Sequence, residues 1–301
     1  MHVETIGIFG QGFVGTAVKE GLKDHFDVMT YDKFRSDLSS STAHSIARSC
    51  DIVFVCVPTP MNSDGSCNID IVTSVIDEID SLAALRTKQN KLIAVIKSTV
   101  PPGTTEMLDD RSKNIDVAFV PEFLTEANSI NDFKNPTRII IGARRPASSV
   151  VKALFQKVFP KVPIIKTGSK TAETVKYMTN CFLATKVSFA NEMYQVCEKL
   201  DIDYDKVVEY AKYDSRLGSS HWSVPGPVSV DGELISGFGG HCLAKDINCM
   251  INLAEQLDVE PLVMSAVWKK NLEVRPPKYR DWETMKGRAV THDYEADDEE
   301  S

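Results

Sequence analysis

The sequence lacks the features of secreted, membrane-spanning and disulfide-stabilised proteins. No apolar run reaches the roughly 18 residues that a membrane-spanning helix needs, and the N-terminus lacks the basic residues that begin a signal peptide. The seven cysteines are odd in number and form no C-x-x-C pair. We therefore expect a protein of the reducing cytoplasm, with no membrane partner.

Positive charge is also in short supply. The chain has 34 basic and 42 acidic residues, which gives a formal net charge of −8, and this balance argues against a nucleic-acid partner because phosphates require a basic surface. Hydrophobic residues make up 43% and charged residues 25% of the 301 residues, as in soluble globular proteins of one large or two ordinary domains. The acidic run at 295–300 predicts a solvated, disordered end.

The first half of the chain alternates β-rich runs with helical patterns. This alternation predicts an α/β fold, a Rossmann-type doubly wound and mostly parallel sheet. The expected strands are 5–9, 27–31, 51–57, 92–97, 117–120, 138–141 and 162–166, with helices at 14–22, 70–85 and 150–159.

The second half is mostly helical. We expect helices at 171–200, 205–212, 246–257 and 261–273, and a long loop at 214–240 that is rich in Gly, Pro and Ser. The predicted domains are 1–168, which would bind a dinucleotide, 169–275, which is helical, and a tail at 276–301.

A glycine-rich turn follows the first predicted strand. Gly10, Gly12 and Gly15 form G-x-G-x-x-G between a strand and a helix, and Asp32 ends the next strand. The glycines allow a tight turn, close approach of a pyrophosphate and close helix packing, while the helix N-terminus attracts phosphates. Asp32 favours NAD over NADP because it would repel a 2′-phosphate, although basic residues just after it leave NADP open.

Two further segments follow predicted strands and carry polar side chains. Thr99 lies in K-S-T-V-P-P-G at a strand end, where open sheets bind ligands, but simple turn chemistry would explain it too. Glu122 and Glu126 are four residues apart and would share a face on a helical turn. One of them could act as a general base, or both could be solvated carboxylates.

Polar residues interrupt the long helix at 171–200. Lys176 and Asn180 are four apart and share a face, while Lys186, Asn191 and Glu192 break an otherwise apolar pattern. Surface charge is the alternative, but some of these groups must face a polar element or a crevice.

Cys242 follows three glycines within G-F-G-G-H-C-L-A-K-D. At the start of a helix its sulfur would be favoured as the thiolate, and Asp246 lies one turn later. Core packing is the alternative explanation for this cysteine.

Six motifs occur in one order: the glycine turn, V-P-T-P, K-S-T-V-P-P-G-T, P-E-F-L-x-E, K-Y-x-x-N and G-F-G-G-x-C-x-x-K-D. Over roughly residues 3–270 the chain resembles the UDP-glucose/GDP-mannose dehydrogenase family, and its 214–227 loop is most similar to the UDP-glucose 6-dehydrogenase branch. The resemblance implies a four-electron oxidation of a nucleotide sugar with two NAD per turnover. It implies Cys242 as nucleophile for thiohemiacetal and thioester intermediates, Lys176, Asn180 and Asp246 on the substrate oxygen and a water, Glu122 in thioester hydrolysis, and Thr99 and Glu126 near the nicotinamide.

The motif positions also give two sets of expected binding residues, and no metal site is predicted. The NAD set is Gly10, Gln11, Gly12, Phe13, Val14, Gly15, Asp32, Lys33, Val57, Pro58, Thr59, Ser98, Thr99 and Glu126. The nucleotide-sugar set is Glu122, Phe123, Leu124, Lys176, Asn180, Arg216, His221, Gly239, Gly240 and Cys242.

The resemblance is incomplete, and alternatives stay open. Family members commonly have a second nucleotide-binding domain where this chain stops, which puts the identity of the sugar in doubt. The alternative substrates are GDP-mannose and UDP-N-acetylmannosamine. The alternative kinds of protein are a single-step β-hydroxyacid dehydrogenase and a non-catalytic NAD-binding remnant. In this family the long helix forms a dimer interface, so we expect a homodimer through a stripe of Val175, Met178, Phe182, Phe189, Met193 and Val196.

Overall fold

The computed structural model describes residues 3–227, 229–230 and 232–291, so the acidic run at 295–300 lies outside the described residues. The chain divides into two compact units. The first contains residues up to Thr59 together with Ile69–Lys176, and the second contains Pro60–Asn68 together with the residues from Tyr177 onward. The compact units thus divide at Lys176, inside the long helix, whereas the sequence predicts a boundary after residue 168.

The first unit is built on a seven-stranded sheet with the order β2-β1-β3-β4-β5-β6-β7. Every pairing is parallel except that of β5 with β6, which confirms the mostly parallel α/β prediction. The strands are β1 (Thr5–Phe9), β2 (Asp27–Tyr31), β3 (Ile52–Val55), β4 (Leu92–Ile96), β5 (Ile115–Phe119), β6 (Ile139–Gly142) and β7 (Ile164–Thr167).

Helices cover both faces of this sheet. Val53 and Val55 pack in one buried cluster with residues of α2, α3 and α4, whereas Ile52 and Phe54 pack in another with residues of α1, α5 and α6. Burial on both faces explains why these strands are almost entirely apolar. The helices are α1 (Phe13–Leu22), α2 (Ala43–Ser49), α3 (Asp70–Ala83), α4 (Thr104–Arg111), α5 (Ser129–Lys134) and α6 (Ala147–Val158).

Helices dominate the second unit. The long helix α7 (Ser169–Leu200) begins in the first unit and ends in the second. The predicted 214–240 loop contains a two-stranded hairpin, and α9 begins three residues earlier than predicted. The remaining elements are α8 (Tyr204–Ala211), β8 (Ser229–Val230), β9 (Glu233–Leu234), α9 (Leu243–Gln256), α10 (Leu262–Val274) and α11 (Asp281–Thr284).

None of the helices described is both long enough and apolar enough to cross a membrane.

The segment predicted as a tail is folded as far as residue 291. Trp282 is buried among apolar residues of the second unit. Met61 donates a backbone hydrogen bond to Ala289 at 2.8 Å and accepts one from Thr291 at 2.9 Å. The sequence prediction missed this segment because α11 is a single turn, too short to show helical periodicity.

Replacing Trp282 with alanine should destabilise the second unit. The side chain is 1% exposed, and truncating a buried aromatic side chain typically costs about 3–5 kcal/mol of unfolding free energy. Urea unfolding followed by circular dichroism would measure the loss. Tyr213→Ala is the matched control because Tyr213 is 85% exposed, and equal effects of the two substitutions would contradict the packing described.

Candidate active site

The backbone of the turn after β1 requires glycine at the first and third glycine positions. Gly10 has a φ of +87°, and a Cβ there would lie 2.5 Å from the carbonyl oxygen of Cys56. A Cβ on Gly15 would lie 1.9 Å from the carbonyl oxygen of Gly10, whereas one on Gly12 would meet nothing within 4 Å. The first and third glycines therefore serve packing, and the second leaves open space at the helix N-terminus.

The residues around this turn fit a dinucleotide. Helix α1 has no side-chain cap and no acidic residue in its first turn, so its positive end is suited to a phosphate. The Asp32 carboxylate accepts hydrogen bonds from the backbone N–H groups of Gln11 at 2.8 Å and of Phe34 and Arg35 at 3.0 Å. These bonds fix an acceptor pair beside the turn, as ribose hydroxyls require.

Two loops at the carboxyl edge of the sheet are joined by hydrogen bonds. The Thr59 hydroxyl donates to the carbonyl oxygen of Thr99 at 2.8 Å, and the Ser98 hydroxyl donates to that of Val57 at 2.6 Å. Because the strand order reverses between β1 and β3, this edge is where open sheets bind ligands. The structure therefore brings together the V-P-T and S-T segments of the predicted NAD set.

Glu122 and Lys176 form a buried ion pair. Oε1 of Glu122 lies 2.9 Å from Nζ of Lys176, and its Oε2 accepts the backbone N–H of Leu124 at 2.7 Å. Both side chains are at least nine-tenths buried. Burial alone would raise the pKa of Glu122, but the charge of Lys176 and these hydrogen bonds outweigh it and leave that pKa below its usual value.

The expectation that Glu122 and Glu126 share a helical face is wrong. Residues 121–125 have no helical backbone, Glu122 is buried, and Glu126 is exposed at the start of a short 3-10 helix, Glu126–Asn128. The Glu122 carboxylate takes the N–H of Leu124, a local bond that competes with helix formation. Phe123, between them, lies under the Arg138 guanidinium at 4.2 Å and near the Lys176 ammonium at 5.6 Å.

In the second unit, Asp246 is held by two side chains. Asn180 on α7 donates to its Oδ2 at 2.6 Å, and Lys245 contacts its Oδ1 at 2.5 Å. All three side chains are buried. Burial alone would lower the pKa of Lys245, but the charge of Asp246 raises it. The predicted Asn180 and Asp246 are thus brought together, and Lys245 is a partner that the prediction missed.

Cys242 occupies the N-cap position of α9. The corrected start of this helix at Leu243 places Cys242 at the N-cap, with no hydrogen bond from its side chain to the helix. Lys245 is near enough for its charge to interact with the Cys242 sulfur. A positive helix end and a nearby ammonium both stabilise a thiolate, as nucleophilic chemistry requires.

The glycines before Cys242 lie against the Asp281 carboxylate. Gly240 donates its N–H to Asp281 at 2.9 Å, and a Cβ on Gly239 would lie 2.2 Å from the same carboxylate. Arg216 is paired with Asp214, and His221 is exposed with a φ of +68°. The substrate-binding roles of these four predicted residues therefore stay predictions.

The polar interruption of α7 has a structural explanation. Lys186 donates to the carbonyl oxygen of Leu217 at 3.1 Å and lies over the Trp222 ring. Asn191 accepts the N–H of Gly237 at 3.3 Å. Both therefore support the loop that leads to Cys242, whereas Glu192 is exposed.

Glu173 is a site-supporting residue that the sequence reasoning missed. Its carboxylate accepts the backbone N–H groups of Gly103 at 2.6 Å and Thr105 at 2.8 Å. It therefore caps α4 and fixes the turn after Thr99 to the helix that carries Lys176. Its position one helical turn before Lys176 was the available signal.

Two domains of one known protein family match this chain. Residues 27–161 match the NAD-binding domain and residues 170–273 the central domain of the UDP-glucose/GDP-mannose dehydrogenase family. The UDP-glucose 6-dehydrogenase of Rickettsia prowazekii is 32% identical over 240 residues, which cover 76% of this chain and 50% of that protein. The chain thus spans about half the length of the curated relatives it matches.

Solved structures of related enzymes share the fold. A UDP-glucose dehydrogenase from Pyrobaculum islandicum aligns with a TM-score of 0.78 at 28% identity, over 90% of this chain and 68% of that one. A GDP-mannose dehydrogenase from Pseudomonas aeruginosa aligns with a TM-score of 0.64 at 25% identity, over 89% and 68% of the two chains.

Replacing Lys176 with methionine should weaken the contribution of Glu122 to stability at neutral pH. In the parent chain the pKa of Glu122 is lowered, so its contribution is lost as pH falls through that pKa. Without Lys176, the charge of Lys97 opposes the effect of burial less than both lysines do together, so this pKa should rise and the stability lost relative to the parent should grow as pH rises. Removing one partner of a buried pair typically costs about 3–5 kcal/mol, and we expect that loss at pH 7 and much less at pH 4.

Urea unfolding at both pH values would measure this loss. The double variant Glu122→Gln/Lys176→Met is the control, since without either charge it should show a loss that does not vary with pH. A loss of equal size at both pH values in Lys176→Met would contradict the predicted electrostatics.

Proposed function

Because the chain belongs to the UDP-glucose/GDP-mannose dehydrogenase family, of which it holds the NAD-binding and central domains, we propose that it oxidises a nucleotide sugar. The proposed reaction converts the C6 alcohol of UDP-glucose to the carboxylate of UDP-glucuronate. The observation that carries this proposal is Cys242 at the N-cap of α9, with the buried Lys245–Asp246 pair one turn later. A simple alcohol dehydrogenase has no need of such a nucleophile.

The residues that fit NAD are those of the glycine turn, Asp32, and the joined loops at 57–59 and 98–99. When bound there, NAD supplies the acceptor for the hydride lost at each of two oxidation steps. Asp32 would hold the adenosine ribose, and the N-terminus of α1 would hold the pyrophosphate.

The chain's own residues would handle the protons and the developing charge. Lys176 would stabilise negative charge on the sugar oxygen as the alcohol becomes an aldehyde. Asn180 and Asp246 would hold that oxygen and a water molecule, and this water takes up the hydroxyl proton as the C6 carbon loses its hydride. Burial strengthens these interactions because water no longer screens them.

Cys242 would convert the aldehyde into a form that can be oxidised again. Its sulfur adds to the carbonyl carbon to give a thiohemiacetal, whose carbon is tetrahedral and can lose a second hydride to become a thioester. Water then adds to the thioester, the C–S bond breaks, and Glu122 accepts the proton of the water. The uronate leaves and the thiolate is restored.

Product counting and one substitution test this proposal. The full chain, NAD and a panel of nucleotide sugars should give two NADH for each uronate, and UDP-glucose should be the best substrate. Cys242→Ser should lower uronate formation by roughly 1,000-fold or more, because the hydroxyl is a far weaker nucleophile. NADH and uronate would be quantified by absorbance and chromatography.

Other results would select among the alternatives. One NADH per sugar would indicate a single-step dehydrogenase. A preference for GDP-mannose or UDP-N-acetylmannosamine would change the substrate, and binding of NAD without turnover of any sugar would indicate a remnant. Cys197→Ser is the matched control, since Cys197 is buried in a hydrophobic cluster.

We also propose a homodimer through α7. Four members of the predicted stripe are exposed, Met178, Phe182, Phe189 and Val196, with exposed fractions of 73%, 63%, 53% and 44%. At 100° per residue these positions fall within about 40° of one another around the helix. Val175 and Met193, the other members of the predicted stripe, are partly buried against the chain's own clusters.

Charged residues on this stripe should separate the subunits. Phe182→Glu/Phe189→Glu should raise the dimer dissociation constant by roughly 100-fold or more, since buried aromatic residues dominate interface energies. Light scattering coupled to size exclusion would report the mass. Phe34→Glu is the control because Phe34 is exposed elsewhere, and the mass of a single chain in the parent protein would contradict the proposal.

We further place the protein in the cytoplasm. The seven cysteines, all of which lie in the described part of the chain, form no disulfide, and reduced cysteines are typical of reducing compartments.

A further inference from the structure

Lys97 is a buried lysine that the proposed reaction does not yet use. It directly follows β4 and precedes Ser98, and its side chain is 4% exposed. Its Nζ donates to the carbonyl oxygen of Pro121 at 3.2 Å. Burying an ammonium group is costly unless its charge has a partner, so this position requires an explanation.

Glu122, the residue after Pro121, carries an opposite charge that acts on Lys97. Lys97 also faces Cys56 after β3 and Lys176 on α7, and burial lowers the pKa of Lys97 to about 8. Its charge in turn helps to lower the pKa of Glu122. Glu122 therefore has two cations, of which Lys176 is bonded to its carboxylate and Lys97 is bonded to the backbone beside it.

Lys97 and Glu122 also line the same cavity of about 290 Å³ in the first unit. Arg138 and Asp132 contribute the other charged side chains of its wall. Asp132 is engaged by the backbone and hydroxyl of Thr125, and Arg138 lies over Phe123. A cavity of this size can hold several water molecules next to the carboxylate.

Lys176 and Lys97 have different roles in the proposed reaction. In the proposed function the Lys176 ammonium group interacts with the sugar oxygen, and this weakens its ion pair with Glu122. A buried carboxylate without a cation takes up a proton and can no longer act as a base. The Lys97 ammonium group is held by the Pro121 carbonyl, and the proposed reaction gives it no contact with the substrate.

We propose that Lys97 is the positioning residue that keeps Glu122 ionised for thioester hydrolysis while Lys176 engages the substrate. This inference rests on the proposed function. In the step concerned, Glu122 takes one proton from water, the hydroxide oxygen bonds to the thioester carbon, and the C–S bond breaks to return the Cys242 thiolate. Lys97 touches none of the reacting atoms and acts through the charge of Glu122.

Lys97→Met tests the proposal because it keeps the length of the side chain and removes its charge. Infrared spectroscopy of the full chain should show the protonated Glu122 carboxyl group at a pH about one unit higher than in the parent protein. Glu122→Gln identifies the band by its absence. Lys97→Arg, which restores the charge, and Lys113→Met, which removes an exposed one, should titrate like the parent.

A second measurement follows the reaction itself. With NAD and UDP-glucose, the pH at which uronate release falls to half its maximum on the acid side should lie about one unit higher in Lys97→Met than in the parent, as for the Glu122 band. Below that pH the acylated Cys242 should accumulate in the mass spectrum of Lys97→Met, while at pH 8 the two proteins should differ by less than about three-fold. A purely structural lysine would not change the pH profile in this way.

The outcomes separate this inference from the proposed function. If the Glu122 band titrates alike in Lys97→Met and the parent, the inference is wrong even where uronate is made. If the parent chain makes neither thioester nor uronate, the proposed function is wrong whatever the infrared result. Should Lys97→Met fail to fold, a titration of Lys97→Arg that departs from the parent by a full unit overturns the inference.

Discussion

A charge taken out of water needs a partner, and this requirement determines where the buried charged groups of this protein lie. Removing one member of a buried pair typically costs about 3–5 kcal/mol, so Lys176 and Glu122 hold each other in place, as do Lys245 and Asp246. Each pair joins segments that are distant in sequence or fixes the start of a helix. The geometry of the proposed active site and the stability of the fold therefore depend on the same contacts.

Much of the fold could be predicted from the sequence because its strands are unusually apolar. Ile52–Val55 is buried on both faces, and such a run followed by helical patterns predicts a parallel sheet. Short elements escaped prediction: α2 has seven residues and α5 six, fewer than two helical turns. The packed segment around Trp282 escaped for the same reason, since its order comes from contacts with Met61 and the helices rather than from local pattern.

The site was predictable where a motif fixes the chemistry and unpredictable where tertiary contacts decide it. Cys242, Asn180 and Asp246 are predicted from glycines, helical spacing and resemblance, and the structure shows the last two bonded to each other. The prediction that Glu122 and Glu126 share a helical face is wrong because the Glu122 carboxylate accepts the N–H of Leu124 in place of a helical turn. The roles of Lys97, Glu173 and Lys245 could not be predicted because most lysines and glutamates are exposed to solvent, and the sequence alone does not show that these three are buried.

The segment Pro60–Asn68 lies within the sequence of the Rossmann-type domain but belongs to the second compact unit. Met61 within it bonds to Ala289 and Thr291 at the far end of the described chain. Neither unit is therefore one continuous stretch of polypeptide. A fragment starting at Tyr177 would have to fold without Met61, which is buried in its interior, so no single cut in the chain releases the helical unit with its core complete.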